Sequence, residues 1–161
     1  MKLETILVPL DGSPLAEAAL PRAVELAEGS RARLLLLRAA HAAALPGVDA
    51  TEAQVRAVEE AEAYLAEVAK RLTGTRVANL ETSVWYGPAA YAIVEGARLH
   101  KADLIVMTTH GRSGLRRLIL GSVAESVLRG TTTPILLVRA VEAPVERPTG
   151  SATPWPEATR V

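Results

Sequence analysis

Apolar residues fall in two rhythms along this chain, and the two alternate. Short apolar runs occur at LETILVPL (3–10), ARLLLLRA (32–39), VANLETSVW (77–85), ADLIVM (102–107) and TPILLV (133–138). The run at 32–39 is continuous, as a strand buried on both faces should be, and 77–85 alternates in part. Between the runs, apolar residues recur at helical spacing. Ala16, Leu20, Ala23, Val24 and Ala27 do so through Glu28. Val55, Val58, Ala61, Leu65, Val68 and Leu72 mark one face of a long helix. Ala90, Ile93, Val94 and Ala97 mark a third, and a fourth helix runs to about Arg129.

Punctuation supports these boundaries. Ser13-Pro14 reads as an N-cap followed by proline at the first helical position. Gly29 is expected to stop that helix. Thr51 with Gln54, and Ser122 with Glu125, are spaced as capping boxes. Gly74 follows the long helix, and Gly87-Pro88 opens the third. The resulting order, β-α-β-α-β-α-β-α-β, predicts an α/β domain over residues 1–140: a parallel sheet with helices on both faces. From Val141 onward the chain has four prolines, several Ser and Thr, and no periodicity. A disordered or surface-draped tail is expected over 141–161.

Composition narrows the function. A chain of 161 residues suits one domain, and 49% hydrophobic residues are enough for a sizeable core. The formal net charge is zero, only 3% of residues are aromatic and none is Phe, which argues against nucleic acid as a partner. There is no Cys, hence no disulfide framework and no thiolate chemistry. The N-terminal apolar run is short and meets Asp11 at once, unlike a signal peptide. No segment reaches the roughly 18 apolar residues of a membrane span. The expectation is a soluble, cytoplasmic protein without a membrane partner. Fifteen Arg against three Lys, with few Asn, Gln and Met, fits either a thermophile or a GC-rich genome.

The candidate chemistry lies in TTHGRSGLRRLILGSVAE (108–125), which joins the fourth strand to the fourth helix. Nine residues separate Gly111 from Gly121. Ser122, Val123 and Ala124 begin a helix, and a helix N-terminus offers unpaired N–H groups and a partial positive charge to phosphate. Arg112, Arg116 and Arg117 would add charge. The plainer reading is a capping box, two turn glycines and a solvated basic face. His41, His100 and His110 show no metal-site spacing. No serine has a His–Asp partner in evident register, and there is no Gly-Lys-Ser/Thr.

Together, ILVPLDGS, DLIVMTTHGRSGL and LGSVAESVLRGTTTPILLV resemble the universal stress protein family over roughly residues 2–139. The resemblance implies a five-stranded parallel sheet in the order 3-2-1-4-5. It points to the branch that binds ATP through a Gly-x-x-Gly-nine-Gly-Ser/Thr loop. That pattern falls on Thr108, Gly111, Gly121 and Ser122, with Thr108 in place of the first Gly. In such a sheet the order reverses between strands 1 and 4, and ligands bind outside the carboxyl ends there. The loops at 9–13 and 108–122 would form the walls.

Pro9 and Leu10 would line the base pocket. Asp11 would meet a Mg²⁺ ion through water, or a ribose hydroxyl; its plain role is an Asx turn. By resemblance, Ala39 meets the adenine edge through its backbone, and Met107 is a further contact, although by pattern alone Met107 is core. The implied protein is an ATP-binding stress or signalling protein with slow or no hydrolysis, holding ATP with Mg²⁺. It would be a homodimer through the apolar edge strand 133–138. The alternative is a dimeric interaction module of the same fold that binds no nucleotide. The Ser-Gly-Gly-x-Asp-Ser and His-Ile-Gly-His signatures of related enzymes do not occur in PLDGSPL. No protein partner is legible.

Overall fold

The computed structural model describes residues 2–42, 47, 49–109 and 121–139. Five parallel strands form one sheet in the order β3-β2-β1-β4-β5. They are β1 (Thr5–Pro9), β2 (Arg33–Ala40), β3 (Asn79–Tyr86), β4 (Leu104–Thr109) and β5 (Ile135–Arg139). Helices α1 (Pro14–Glu17), α2 (Leu20–Ser30), α3 (Ala50–Arg71), α4 (Ala89–Leu99) and α5 (Ser122–Gly130) connect them. The expected α/β class, parallel sheet and strand order are all found.

The period of two in the strands sends alternate side chains to opposite faces, and each face carries its own core. Ile6, Val8, Leu34 and Leu36 pack with Ala23, Leu65 and Val68 of α2 and α3. Leu7, Leu35, Leu37 and Ile105 pack with Ile93 and Ala97 of α4 and Val127 of α5. Being covered on both sides explains why β2 reads as an unbroken apolar run.

Several boundaries differ from the sequence reading, each for a local reason. The expected first helix is two. Pro21 lacks the N–H that would bond the Glu17 carbonyl, so the helix breaks at Ala18–Ala19 and restarts with the proline in its first turn. Gly29 does not stop α2. The chain leaves the helix at Arg31, which adopts a left-handed conformation with φ 57°, and the Ala32 N–H closes onto the Ala27 carbonyl at 3.0 Å.

Thr51 and Gln54 do not cap α3. Asp49 does, accepting the Glu52 N–H at 2.9 Å. Ser122 is the first helical residue of α5, not its cap. Gly121 is the extended N-cap, and the Glu125 N–H donates to its carbonyl. The Glu125 carboxylate accepts instead from Arg129 one turn on. The strands β1, β3, β4 and β5 each begin two residues later than expected, and β4 extends to Thr109.

Candidate functional site

The sheet opens where its order reverses. β1 and β4 pair only through Ile6↔Leu104 and Leu7↔Ile105, although β1 continues to Pro9 and β4 to Thr109. On their outer sides both strands remain paired to the end, Pro9 with Leu37 and Thr109 with Arg139. Their carboxyl ends therefore part from each other. The resulting cleft has a volume of about 110 Å³.

Small side chains make the room. Leu37 and Ala39 of β2 and Pro9 of β1 line one side; Met107 and Thr108 of β4 line the other. Ala89 and Ile93 of α4 and Val123 and Ala124 of α5 close one end, and Leu10, Asp11 and Ala16 border the remaining edge. Four of these twelve residues are alanines and only Asp11 and Thr108 are polar, so the walls are mainly apolar, as those of a site for a planar ring would be.

Polar groups enter from two loops. After β1, Gly12 takes φ +87°, a conformation that favours glycine, and the turn it makes is an Asx turn. Asp11 Oδ1 accepts the Ser13 N–H at 2.8 Å. Ser13 Oγ in turn accepts the Ala16 N–H at 3.1 Å, the expected N-cap of α1. Asp11 is exposed and remains on the cleft border. On the far side, α5 begins at the cleft. The first N–H groups of a helix have no acceptor within it, and two of the residues that carry them, Val123 and Ala124, line the cavity.

Eight of the twelve residues singled out in the sequence thus border one cleft: Pro9, Leu10, Asp11, Ala39, Met107, Thr108, Val123 and Ala124. Gly121 and Ser122 stand at the α5 start beside them. Gly111 and Arg112 lie outside the described residues. Four lining residues were not expected: Ala16, Leu37, Ala89 and Ile93. Each is apolar at a core period, and sequence pattern does not separate a residue that faces core from one that faces a cleft. Among the described residues no group of three or more His, Asp and Glu is placed to hold a metal ion. His41 lies against Tyr86, with ring centroids 6.4 Å apart, and His100 caps the end of α4.

The universal stress protein family matches residues 2–139. The chain belongs to that family. It is 33% identical over 139 residues to a universal stress protein of Methanocaldococcus jannaschii, with 83% of this chain and 81% of that one covered. The solved structure of a universal stress protein from Lactobacillus plantarum superposes with a TM-score of 0.73 at 27% identity, covering 86% of this chain and 99% of that one. A universal stress protein solved in complex with cAMP gives a TM-score of 0.69 at 27% identity, covering 88% and 100%.

Proposed function

We propose that this universal stress protein binds an adenine nucleotide, ATP with Mg²⁺, in the cleft between the carboxyl ends of β1 and β4. The observation that carries the reading is the meeting, at the switch point, of a mainly apolar cleft and the N-terminus of a nine-residue helix. A family relative with cAMP bound supports it. In this reading the adenine lies against Pro9, Leu10 and Met107, with the backbone of Ala39 at its edge. The phosphates meet the N–H groups of Ser122, Val123 and Ala124, approached closely past Gly121. Gly111 and Arg112 add contacts from the connecting loop.

Asp11 faces the ribose or a Mg²⁺ ion through water. A single carboxylate at the cleft suits Mg²⁺ brought by the nucleotide's own phosphates, because that ion keeps several waters and needs few protein ligands. When bound, the ion would neutralise phosphate charge, and Asp11 would orient its waters. In this reading the nucleotide is held, with slow or no hydrolysis.

The proposed assembly is a homodimer through β5. A dimer of the same fold that holds no nucleotide is the second reading, favoured by Thr108, which stands on the cleft wall in place of the motif's first Gly. The two are separated by mass spectrometry of the heat-released supernatant of protein purified without added ligand, with calorimetric titration of Mg-ATP. Bound ATP, or a saturable titration, is expected. A clean supernatant and a flat titration would overturn nucleotide binding.

A further inference from the structure

The turn that carries Asp11 is faced by a side chain that does not line the cleft. Arg38 is the penultimate inward step of β2, half-buried on the face opposite Leu37 and Ala39. A Cβ added to Gly12 would lie 3.5 Å from Arg38 Nη2 and 3.6 Å from both Cζ and Nη1. Near-equal distances to three coplanar atoms mean that the guanidinium presents its flat side to the bare Cα of Gly12. The same Cζ lies 4.7 Å from the centroid of the Tyr64 ring. Arg38 thus stacks on Tyr64 of α3 and faces the β1–α1 turn across the position that a Cβ of Gly12 would fill.

Tyr64 is itself fixed. Its hydroxyl donates to Glu17 Oε1 at 2.9 Å, and Arg71 Nη2 donates to Glu17 Oε2 at 2.9 Å. Glu17 closes α1, the short helix that the Asp11 turn leads into. The turn is held at its start as well, where the Leu10 N–H donates to the Leu37 carbonyl at 2.8 Å. Beyond its own Asx turn and the Ser13 cap, the turn is therefore tied to β2 and α3, and Arg38 is where the two meet it.

We propose that Arg38 is a positioning residue, whose guanidinium, stacked on the Tyr64 ring and facing Gly12, holds the Asp11–Gly12–Ser13 turn in the conformation that presents Asp11 to the nucleotide. Its effect on affinity rests on the nucleotide reading; its effect on the turn does not. Planarity is what the contact uses. A guanidinium stacks on a ring and faces a bare backbone at once, whereas an ammonium is a hydrated point charge. Gly12 is glycine for its φ of +87°; an added Cβ would meet the guanidinium only at ordinary van der Waals distance.

The test uses the full chain with Arg38→Ala, Arg38→Lys, Asp11→Ala and the Arg38→Ala/Asp11→Ala pair. In nucleotide-free protein, exchange of the Ser13 amide, whose hydrogen is held by Asp11, is followed by NMR. It should rise at least about five-fold in Arg38→Ala, in line with loss of a local rather than global closure. Mg-ATP affinity by calorimetry should fall about ten-fold in Arg38→Ala. In the Asp11→Ala background, removing Arg38 should change it less than about two-fold, since the two act as one unit. Arg38→Lys should resemble Arg38→Ala, and it also stands in if the alanine variant does not fold.

Unchanged Ser13 exchange would overturn the proposal. So would equal affinity losses with and without Asp11, which would place Arg38 on the ligand itself. A lysine variant matching wild type in both measurements would show that charge, not stacking, is what matters. If wild type binds no nucleotide, the proposed function fails, and the exchange measurement still decides the role of Arg38.

Discussion

Gly121 is the residue on which the proposed phosphate site most depends. Its φ of −59° and ψ of 152° are open to any amino acid, so it is not glycine for the sake of its backbone. Under the nucleotide reading, its missing Cβ lets the phosphate reach the α5 amides. Gly121→Val should therefore fold and yet lose about 2 kcal/mol or more of Mg-ATP affinity, comparable to stranding charge-assisted hydrogen bonds. Arg116→Ala, in the stretch outside the described residues, should lose about 1 kcal/mol or less, because salt screens a long cationic side chain and fixing it costs entropy. Calorimetry decides this once circular dichroism shows both variants folded; wild-type affinity in Gly121→Val with a large loss in Arg116→Ala would mean that side chains hold the phosphate. At this scale the sequence was informative where chemistry is local. The turn at Asp11-Gly12-Ser13 and the Ser13 cap were legible from residue type alone. Arg38 was not, because its partners Gly12 and Tyr64 are brought to it only by the fold.

Elements were legible in kind and less so at their ends. Among the described residues, periodicity and cap spacing located the strands and helices, but Pro21 divided one helix in two, and Asp49 outcompeted the Thr51–Gln54 box. Both failures are matters of a single backbone N–H, which a hydrophobic pattern does not register. Packing between elements was less legible still. Gly96 lies mid-way along α4 where the helix rests on the sheet, and an added Cβ would run into Leu37 Cδ1. Helix propensity alone would make Gly96→Ala stabilising by about 1 kcal/mol. Leu37 is 1% exposed and its one open side is the cleft it lines, so its Cδ1 must leave its packed position and overpacking should win, leaving a net loss of about 1–2 kcal/mol by urea unfolding. A stabilised Gly96→Ala would mean that Leu37 turns into the cleft or that α4 lifts from the sheet. The tie between α1 and α3 gives a pH signature. Partial burial, and next the hydrogen bond to Glu17, push the Tyr64 phenol above its usual value. The folded state thus keeps the proton longer than the unfolded state does. The contribution of Tyr64 is complete below the ordinary tyrosine pKa of about 10 and is lost progressively as pH rises beyond it. Denaturation midpoints measured from pH 9 upward should fall less steeply in Tyr64→Phe than in wild type; parallel slopes would show that the phenol is not held.

For the whole molecule, alternation of runs and periods sufficed for a parallel sheet, but the order 3-2-1-4-5 came from family resemblance, because nothing in a strand's own residues says which neighbour it pairs with. The order has a consequence for assembly. It puts β5 at an edge with no internal proline or lysine to protect it. Leu136 and Val138 pack toward one core and Ile135 toward the other, yet Leu137 is 39% exposed, and Leu128 on the neighbouring α5 is 54% exposed. An edge that leaves both its hydrogen-bonding groups and apolar side chains accessible is suited to another copy of itself, since a second β5 would satisfy both together. Wild-type protein should therefore sediment as a dimer at micromolar concentration. Leu137→Lys, which places a charge on that edge without touching the buried core, should weaken association by at least about ten-fold, the effect of losing one buried apolar contact and desolvating a cation. A monomeric wild type that dimerises on truncation after residue 140 would mean that residues 141–161 compete for that edge. Monomers both before and after truncation would mean that the β5 edge is not an interface at all.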